Sequence, residues 1–206
     1  MNVKQLHQLF ISATICVLLG SCASTKMTAI KNPSIPIRSY QNILVIAPFA
    51  DLESRKTAED IFVTKLSRIG LRAIPSLSIL FPGRNYSNEE FAKLILDSGA
   101  EGMLLVTLTD AYTEQTYMPP SSYSTGTLTL QGNLAQYSGT TQHYGGYYIS
   151  KPMVRYDIRL FDVSTGQTAW MATSLTRGNA FARFPKLINS LAETAVEQMR
   201  KDRLIP

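Results

Sequence analysis

Apolar residues along this chain follow two different periods, and each marks a different kind of element. Ile43-Leu44-Val45-Ile46-Ala47 is a continuous, largely β-branched apolar run closed by Pro48, the pattern of a strand buried on both faces. Ala58, Ile61, Phe62, Leu66 and Ile69 then recur at three- and four-residue spacing as far as Gly70, which predicts an amphipathic helix with a glycine stop. Leu71 to Ile74 reads as a short second strand. After a loop around Pro82-Gly83, Ser87 and Glu90 have the spacing of a capping box, in which each side chain satisfies an orphan backbone N–H. The helix they start carries Phe91, Leu94 and Ile95 on one side and ends at Gly99. Gly102 to Thr109 is a third, almost wholly apolar strand.

Nearer the C-terminus the period becomes two. Val154, Tyr156, Ile158 and Leu160 alternate with Arg155, Asp157 and Arg159, which predicts a strand with one wet face. Val163-Ser164-Thr165-Gly166-Gln167 suits a hairpin turn with its glycine left-handed, and the chain returns through Thr168 to Leu175, Trp170 included. Asp157 and Asp162 are expected on the solvated face of that hairpin, opposite Arg155 and Arg159. Pro185 fits the first turn of a last helix, whose buried stripe is Leu187, Ile188, Leu191, Ala195, Val196 and Met199. The fold class is therefore α/β with a mixed sheet, in the order β-α-β-α-β-(insertion)-β-β-α, with helices packed on the sheet. The first five elements form a right-handed βαβαβ unit.

The insertion, residues 115–150, is set apart by what it lacks. Between Glu114 and Lys151 there is no charged residue, while six of the ten tyrosines, Tyr117, Tyr123, Tyr137, Tyr144, Tyr147 and Tyr148, lie inside the stretch. With Pro119-Pro120 near its start and Gly145-Gly146 near its end, and few aliphatics, it reads as a loosely ordered surface loop. The sharper alternative is a β-hairpin that prolongs the flanking strands into an arm for a partner protein, a sister protomer or a membrane. Thr127-Leu128-Thr129-Leu130 alternates as a barrel strand does. That alternation runs only a few residues, short of the ~10 that a tilted membrane strand needs.

At the N-terminus, Lys4 and His7 precede an apolar run from Leu9 to Leu19, then Gly20, Ser21 and Cys22. A positive region, a short apolar region and small residues at a cleavage point make residues 1–21 an export signal. The run is about half the ~20 residues a permanent spanning helix requires. Leu19-Gly20-Ser21-Cys22 resembles the lipobox of bacterial lipoproteins. That resemblance implies cleavage between Ser21 and Cys22, and a covalent diacylglyceryl and N-acyl (palmitate-type) lipid on Cys22. With Ala23 rather than aspartate after the cysteine, it also implies an outer-membrane anchor facing the periplasm rather than an inner-membrane one. Cys16 lies in the signal, so processing leaves Cys22 alone and no internal disulfide. Residues 22–40, polar and broken by Pro33 and Pro36, read as a flexible tether reaching up to roughly 50–60 Å at ~3.3 Å per residue. Residues 41–206 then form a single domain, large enough for one sizeable core.

Charge and chemistry narrow the function further. The chain's formal net charge is +5, but its Lys and Arg are scattered among Glu and Asp, which excludes a nucleic-acid footprint. After processing His143 is the only histidine, and it lies in the insertion. No G-x-S-x-G elbow, G-x-x-x-x-G-K-[ST] or G-x-G-x-x-G occurs. A Cys/His zinc set is absent too, so neither a catalytic site nor a bound metal or cofactor is expected. Asp51, Ser76 and Asp110 fall where open α/β sheets bind ligands, at strand carboxyl ends, although caps and turns account for them equally well.

The lipobox, the βαβαβ unit and the late hairpin Phe161-Asp162-Val163-Ser164-Thr165-Gly166-Gln167-Thr168-Ala169-Trp170 together resemble a group of envelope lipoproteins. These are the lipoproteins around the curli-secretion pore protein, the activators of penicillin-binding proteins and the amino-terminal domain of TolB. The likeness spans about residues 40 to 200 and implies a non-enzymatic, membrane-anchored assembly or protein-binding factor. In the curli pore family the region matching the insertion supplies membrane-spanning strands, so an oligomeric export pore is the alternative. A small-ligand carrier or hydrolase working at the strand ends is a third.

Overall fold

The computed structural model describes residues 22–36, 38–131 and 134–206, with side chains throughout except at 126–138. Residues 1–21, expected as an export signal, lie outside them. Eight strands and three long helices follow one another as β1 (Ala23–Lys31), β2 (Asn42–Ile46), α1 (Leu52–Arg68), β3 (Arg72–Pro75), α2 (Asn88–Asp97), β4 (Gly102–Met118), β5 (Ser121–Gln131), β6 (Leu134–Tyr144), β7 (Tyr147–Asp162), β8 (Thr168–Gly178) and α3 (Phe184–Lys201).

Six strands make one mixed sheet in the order β1-β8-β7-β4-β2-β3, and β5 and β6 make a second, two-stranded one. Strands β3, β2 and β4 are parallel, and every pairing from β4 outward to β1 is antiparallel. The chain leaves β2 for β3 and then returns past β2 to β4. Right-handed crossovers in opposite directions place α1 and α2 on opposite faces. Ile43 and Val45 accordingly join the larger core beneath α1 and α3, with Phe62, Leu66, Leu104, Ile158, Trp170, Ile188 and Leu191. Leu44 and Ile46 join a smaller one beneath α2, with Leu80 and Ile95. This is the both-face burial that the unbroken apolar run of β2 implies.

The capping box of α2 forms as its spacing predicts, with Ser87 Oγ accepting from the Glu90 N–H at 3.1 Å and Glu90 Oε2 from the Ser87 N–H at 3.1 Å. Gly166 takes φ +69° in the β7–β8 turn, where a side chain would be strained.

Two expectations are corrected. Residues 23–31, expected as a tether, form strand β1, paired with β8 from Ala23↔Gly178 to Lys31↔Trp170. Small and polar residues disguise it. Ala23, Thr25, Met27 and Ala29 turn half-buried towards the core, whereas Ser24, Lys26, Thr28 and Ile30 are exposed at the rim. Thr25 Oγ1 is fastened 2.9 Å from both Thr176 Oγ1 and Ser190 Oγ. The folded domain therefore starts one residue after Cys22.

Asp162, expected on the wet face with Asp157, is 2% exposed and in phase with Tyr156, Ile158 and Leu160 on the core side. Its carboxylate accepts from Tyr40 Oη at 3.1 Å, from the backbone N–H groups of Ser164 (2.9 Å) and Thr165 (3.0 Å) and from the Ser164 hydroxyl. Arg38 lies 3.3 Å away. Burial pushes this carboxyl up, but those donors and the guanidinium outweigh it and hold it below the usual range. Burial, reinforced by Asp162, pushes the Tyr40 phenol up to about 12. Asp162 thus ties the β7–β8 turn to the chain entering β2.

One buried hydroxyl has no such partner. Tyr156 Oη meets no hydrogen-bond partner among the described residues, and burial raises its pKa. Tyr156→Phe removes an orphaned polar atom while keeping the ring beside Phe49. It is expected to stabilise the fold by about 1 kcal/mol, raising the thermal midpoint by about 2–4 °C in a calorimetric melt.

Candidate functional site

The strand ends, where a ligand site is the prior for an open α/β sheet, are filled by the protein itself. Glu59 on α1 is fully buried. Its Oε1 accepts from the Ala47 N–H (3.2 Å), Arg55 Nε (3.2 Å) and Ser76 Oγ (2.6 Å), and its Oε2 accepts from the Leu77 N–H (2.9 Å). Ala47 follows β2 and Ser76 follows β3, so a single carboxylate clips both strand ends to α1. Ser76 is consumed in this network, since it also accepts from Arg55 Nη2 at 2.8 Å. Asp51 caps α1 by accepting from the Ser54 N–H at 2.7 Å. Asp110 sits at the β4 bulge, paired with Arg155 in register. The structure does not bring these three predicted residues together.

His143 lies exposed on β6, its Nδ1 2.7 Å from the Ser122 hydroxyl of β5. Among the described residues no acidic side chain bonds the ring, and the pair is an exposed cross-strand contact between β5 and β6. Among the described residues no group of three His, Cys, Asp or Glu could hold a metal ion. No described helix is long and apolar enough to cross a membrane.

The distinctive geometry is at the insertion, which is a hairpin. Strands β4 and β7 stay paired beyond the rest of the sheet, from Thr113↔Pro152 to Met118↔Tyr147. After an interruption, β5 and β6 continue in the same register from Ser121↔Tyr144 to Gln131↔Leu134. At the interruption Pro119-Pro120 face Gly145-Gly146. Proline has no N–H to give to a ladder, so it breaks the pairing without shifting it. At Gly146 the Tyr117 ring packs close over the backbone, where an added Cβ would lie 2.8 Å from it and push that exposed side chain aside. From Thr113 to Gln131 the arm has a contour of roughly 60 Å at ~3.3 Å per residue.

Tyr117, Tyr123, Tyr144, Tyr147 and Tyr148 all lie on the arm and are 52–67% exposed. Tyr117 and Tyr148 pack on each other across the strands with ring centroids 5.1 Å apart. The sixth expected arm residue, Tyr137, is placed by register opposite Leu128, and its side chain is outside the described ones.

The arm leaves the sheet at the end where Cys22 lies. Cys22 is exposed, and its carbonyl accepts from the Asn179 N–H at 3.0 Å. Ala23 pairs with Gly178, the neighbouring Arg177 with Met153, and Met153 with Tyr112. These four strands thus reach one common end, from which β4 and β7 continue as the arm. Adjacent strands lie ~4.8 Å apart, which places Cys22 within roughly 10–15 Å of the arm's base. Sequence reasoning named the cysteine and the tyrosines separately; the β1–β8 pairing that joins them lies in a segment it assigned to a linker.

No family model matches the chain, and no curated protein matches it. Among solved structures, the chain is similar to the PelC dodecamer from Paraburkholderia phytofirmans, at 13% identity over 84% of this chain and 94% of that one, with a TM-score of 0.48. It is also similar to lipoprotein GNA1162 from Neisseria meningitidis, at 17% identity over 78% and 98%, with a TM-score of 0.40. At this level the likeness assigns no function.

Proposed function

We propose that this chain is a non-enzymatic envelope lipoprotein, anchored through Cys22 in the outer membrane on its periplasmic side, whose uncharged β-arm is the element that binds protein. One observation carries this: an uncharged, tyrosine-bearing hairpin leaves the sheet at the end where Cys22 sits. Interface cores are depleted of charge and enriched in tyrosine, and both outer edges of the arm present unpaired backbone groups for strand addition. A lone two-stranded hairpin is at best marginally stable in water, so a partner that completes it gains its ordering. Identical arms fit that part, since strands without charge meet with no like-charge repulsion.

A second reading, an oligomeric export pore, is favoured by one feature of the distal arm. Strands β5 and β6 are each 11 residues long, within the range of ~9–11 that crosses a bilayer when tilted. Register pairs Leu128 with Tyr137 and Leu130 with Ala135, between Thr127↔Ser138 and Thr129↔Gln136, an apolar and polar alternation of barrel type.

Deleting residues 119–146 and closing Met118 to Tyr147 with an Asn-Gly turn tests both readings. The sheet and helices pack without the arm, so the thermal midpoint is expected to stay within about 2–4 °C of the parent, a change of under ~1 kcal/mol. Oligomers and co-purifying envelope proteins are expected to disappear. Unchanged oligomers and partners would refute the arm's role. Wild-type protein that leaves vesicles impermeable to small solutes would remove the pore reading alone.

A further inference from the structure

The turn between β8 and α3, which is hydrogen-bonded to Cys22, presents an exposed aromatic ring. Asn179 gives its N–H to Cys22 O at 3.0 Å, and its own oxygens accept from Phe181 N (3.1 Å, side chain) and Ala182 N (3.0 Å, backbone). The turn is closed against the sheet, since a Cβ at Gly178 would lie 2.5 Å from that of Ala182. Ala182 and Phe184 face the core, whereas Phe181 is 79% exposed, the highest exposure among the large apolar side chains described. Arg177, Arg183 and Lys186, all exposed, lie within five residues of it in the chain. No acidic residue occurs between Arg177 and Ser190, and none of the three cations is in an ion pair among the described residues. At the arm's base Glu114 is matched by Lys151 in register, so the excess at this end of the sheet is positive.

We propose that this turn is a second membrane contact, with Phe181 seated in the interfacial layer of an anionic bilayer and Arg177, Arg183 and Lys186 on headgroup phosphates. The inference rests on Cys22 being the lipidated residue. A domain that folds from Ala23 onward has no tether to lift this end off the membrane, so Phe181, two residues from the Asn179 that bonds Cys22, lies at the end of the domain that the acyl chains would hold. Phenylalanine on such a surface buries its ring at the headgroup boundary, and each cation near an anionic leaflet strengthens binding about fivefold. One lipid on one cysteine leaves the domain free to swivel. A second contact through the turn fixes which end of the sheet faces the bilayer, and with it where the arm begins.

The test uses the full chain carrying Phe181→Trp, processed in cells and reconstituted into phosphatidylglycerol-containing vesicles whose acyl chains are brominated near the headgroup. Wild-type protein supplies the background, since its single Trp170 is fully buried. The introduced indole is expected to be quenched by the brominated lipid. Arg177→Gln with Arg183→Gln is expected to weaken that quenching and to make it more sensitive to salt. The mass of the N-terminal peptide reports acylation separately. An acylated Cys22 peptide together with an unquenched indole overturns the second contact and leaves the anchor standing. An unmodified Cys22 peptide overturns the anchor, and the turn contact then falls as well unless the unacylated chain is quenched on anionic vesicles.

Discussion

Glu59→Ala is expected to lower the stability of the domain by ~3–5 kcal/mol, the cost of breaking a buried ion pair by removing one partner. The carboxylate is fully buried and accepts from four donors, two of them backbone N–H groups that follow β2 and β3. Alanine leaves the Ala47 and Leu77 N–H groups and the Ser76 hydroxyl without an acceptor. It also leaves Arg55, which is largely buried, without its carboxylate. Each orphaned donor carries a desolvation penalty of roughly 1–3 kcal/mol, partly relieved by local rearrangement. The measurement is the urea midpoint of Glu59→Ala beside Ser76→Ala, which removes one donor and is expected to cost about 1–2 kcal/mol. Equal, small losses in both would show that the network is not what holds the strand ends.

Cys22→Ala is expected to release or mislocalise the protein with the fold intact. Strand β1 begins at Ala23, and the only Cys22 group the domain uses is its carbonyl, which alanine retains. Each buried CH₂ of an acyl chain contributes ~0.8 kcal/mol to membrane binding, and two or more chains anchor stably where one does not, so losing the thiol removes nearly all attachment. Fractionation of cell envelopes and metabolic labelling with palmitate read the result. A wild-type protein found soluble and without acyl chains would sink the lipoprotein assignment. Any residual binding of the variant that disappears in high salt belongs to the turn carrying Phe181.

Several elements were legible from local pattern alone. The unbroken run of β2, the three- and four-residue stripes of α1 and α3, and the Ser87 and Glu90 box each state their environment within a dozen residues. The hydrophobic effect and capping act at that range. Polar groups placed in the core were not legible. Asp162 shares the phase of Tyr156 to Leu160, and Glu59 lies next to Ala58 on the buried stripe. A carboxylate is stable inside only when donors converge on it, and local donors such as Ser164, Thr165 and Arg55 are completed by Tyr40, Ser76 and Leu77 from other elements.

Of the candidate site, residue order alone determined a cysteine that follows Leu19-Gly20-Ser21, the uncharged stretch and its tyrosines. Tertiary structure decided that the stretch is a hairpin in unbroken register, because a ladder of backbone hydrogen bonds can form on sequences with little apolar content once β4 and β7 align it. It also decided that no tether separates Cys22 from the domain. The hydrogen bonds that make residues 23–31 a strand are supplied by β8, some 150 residues away, and an edge strand with one partner needs few apolar residues of its own. That long-range pairing sets the cysteine beside the base of the arm.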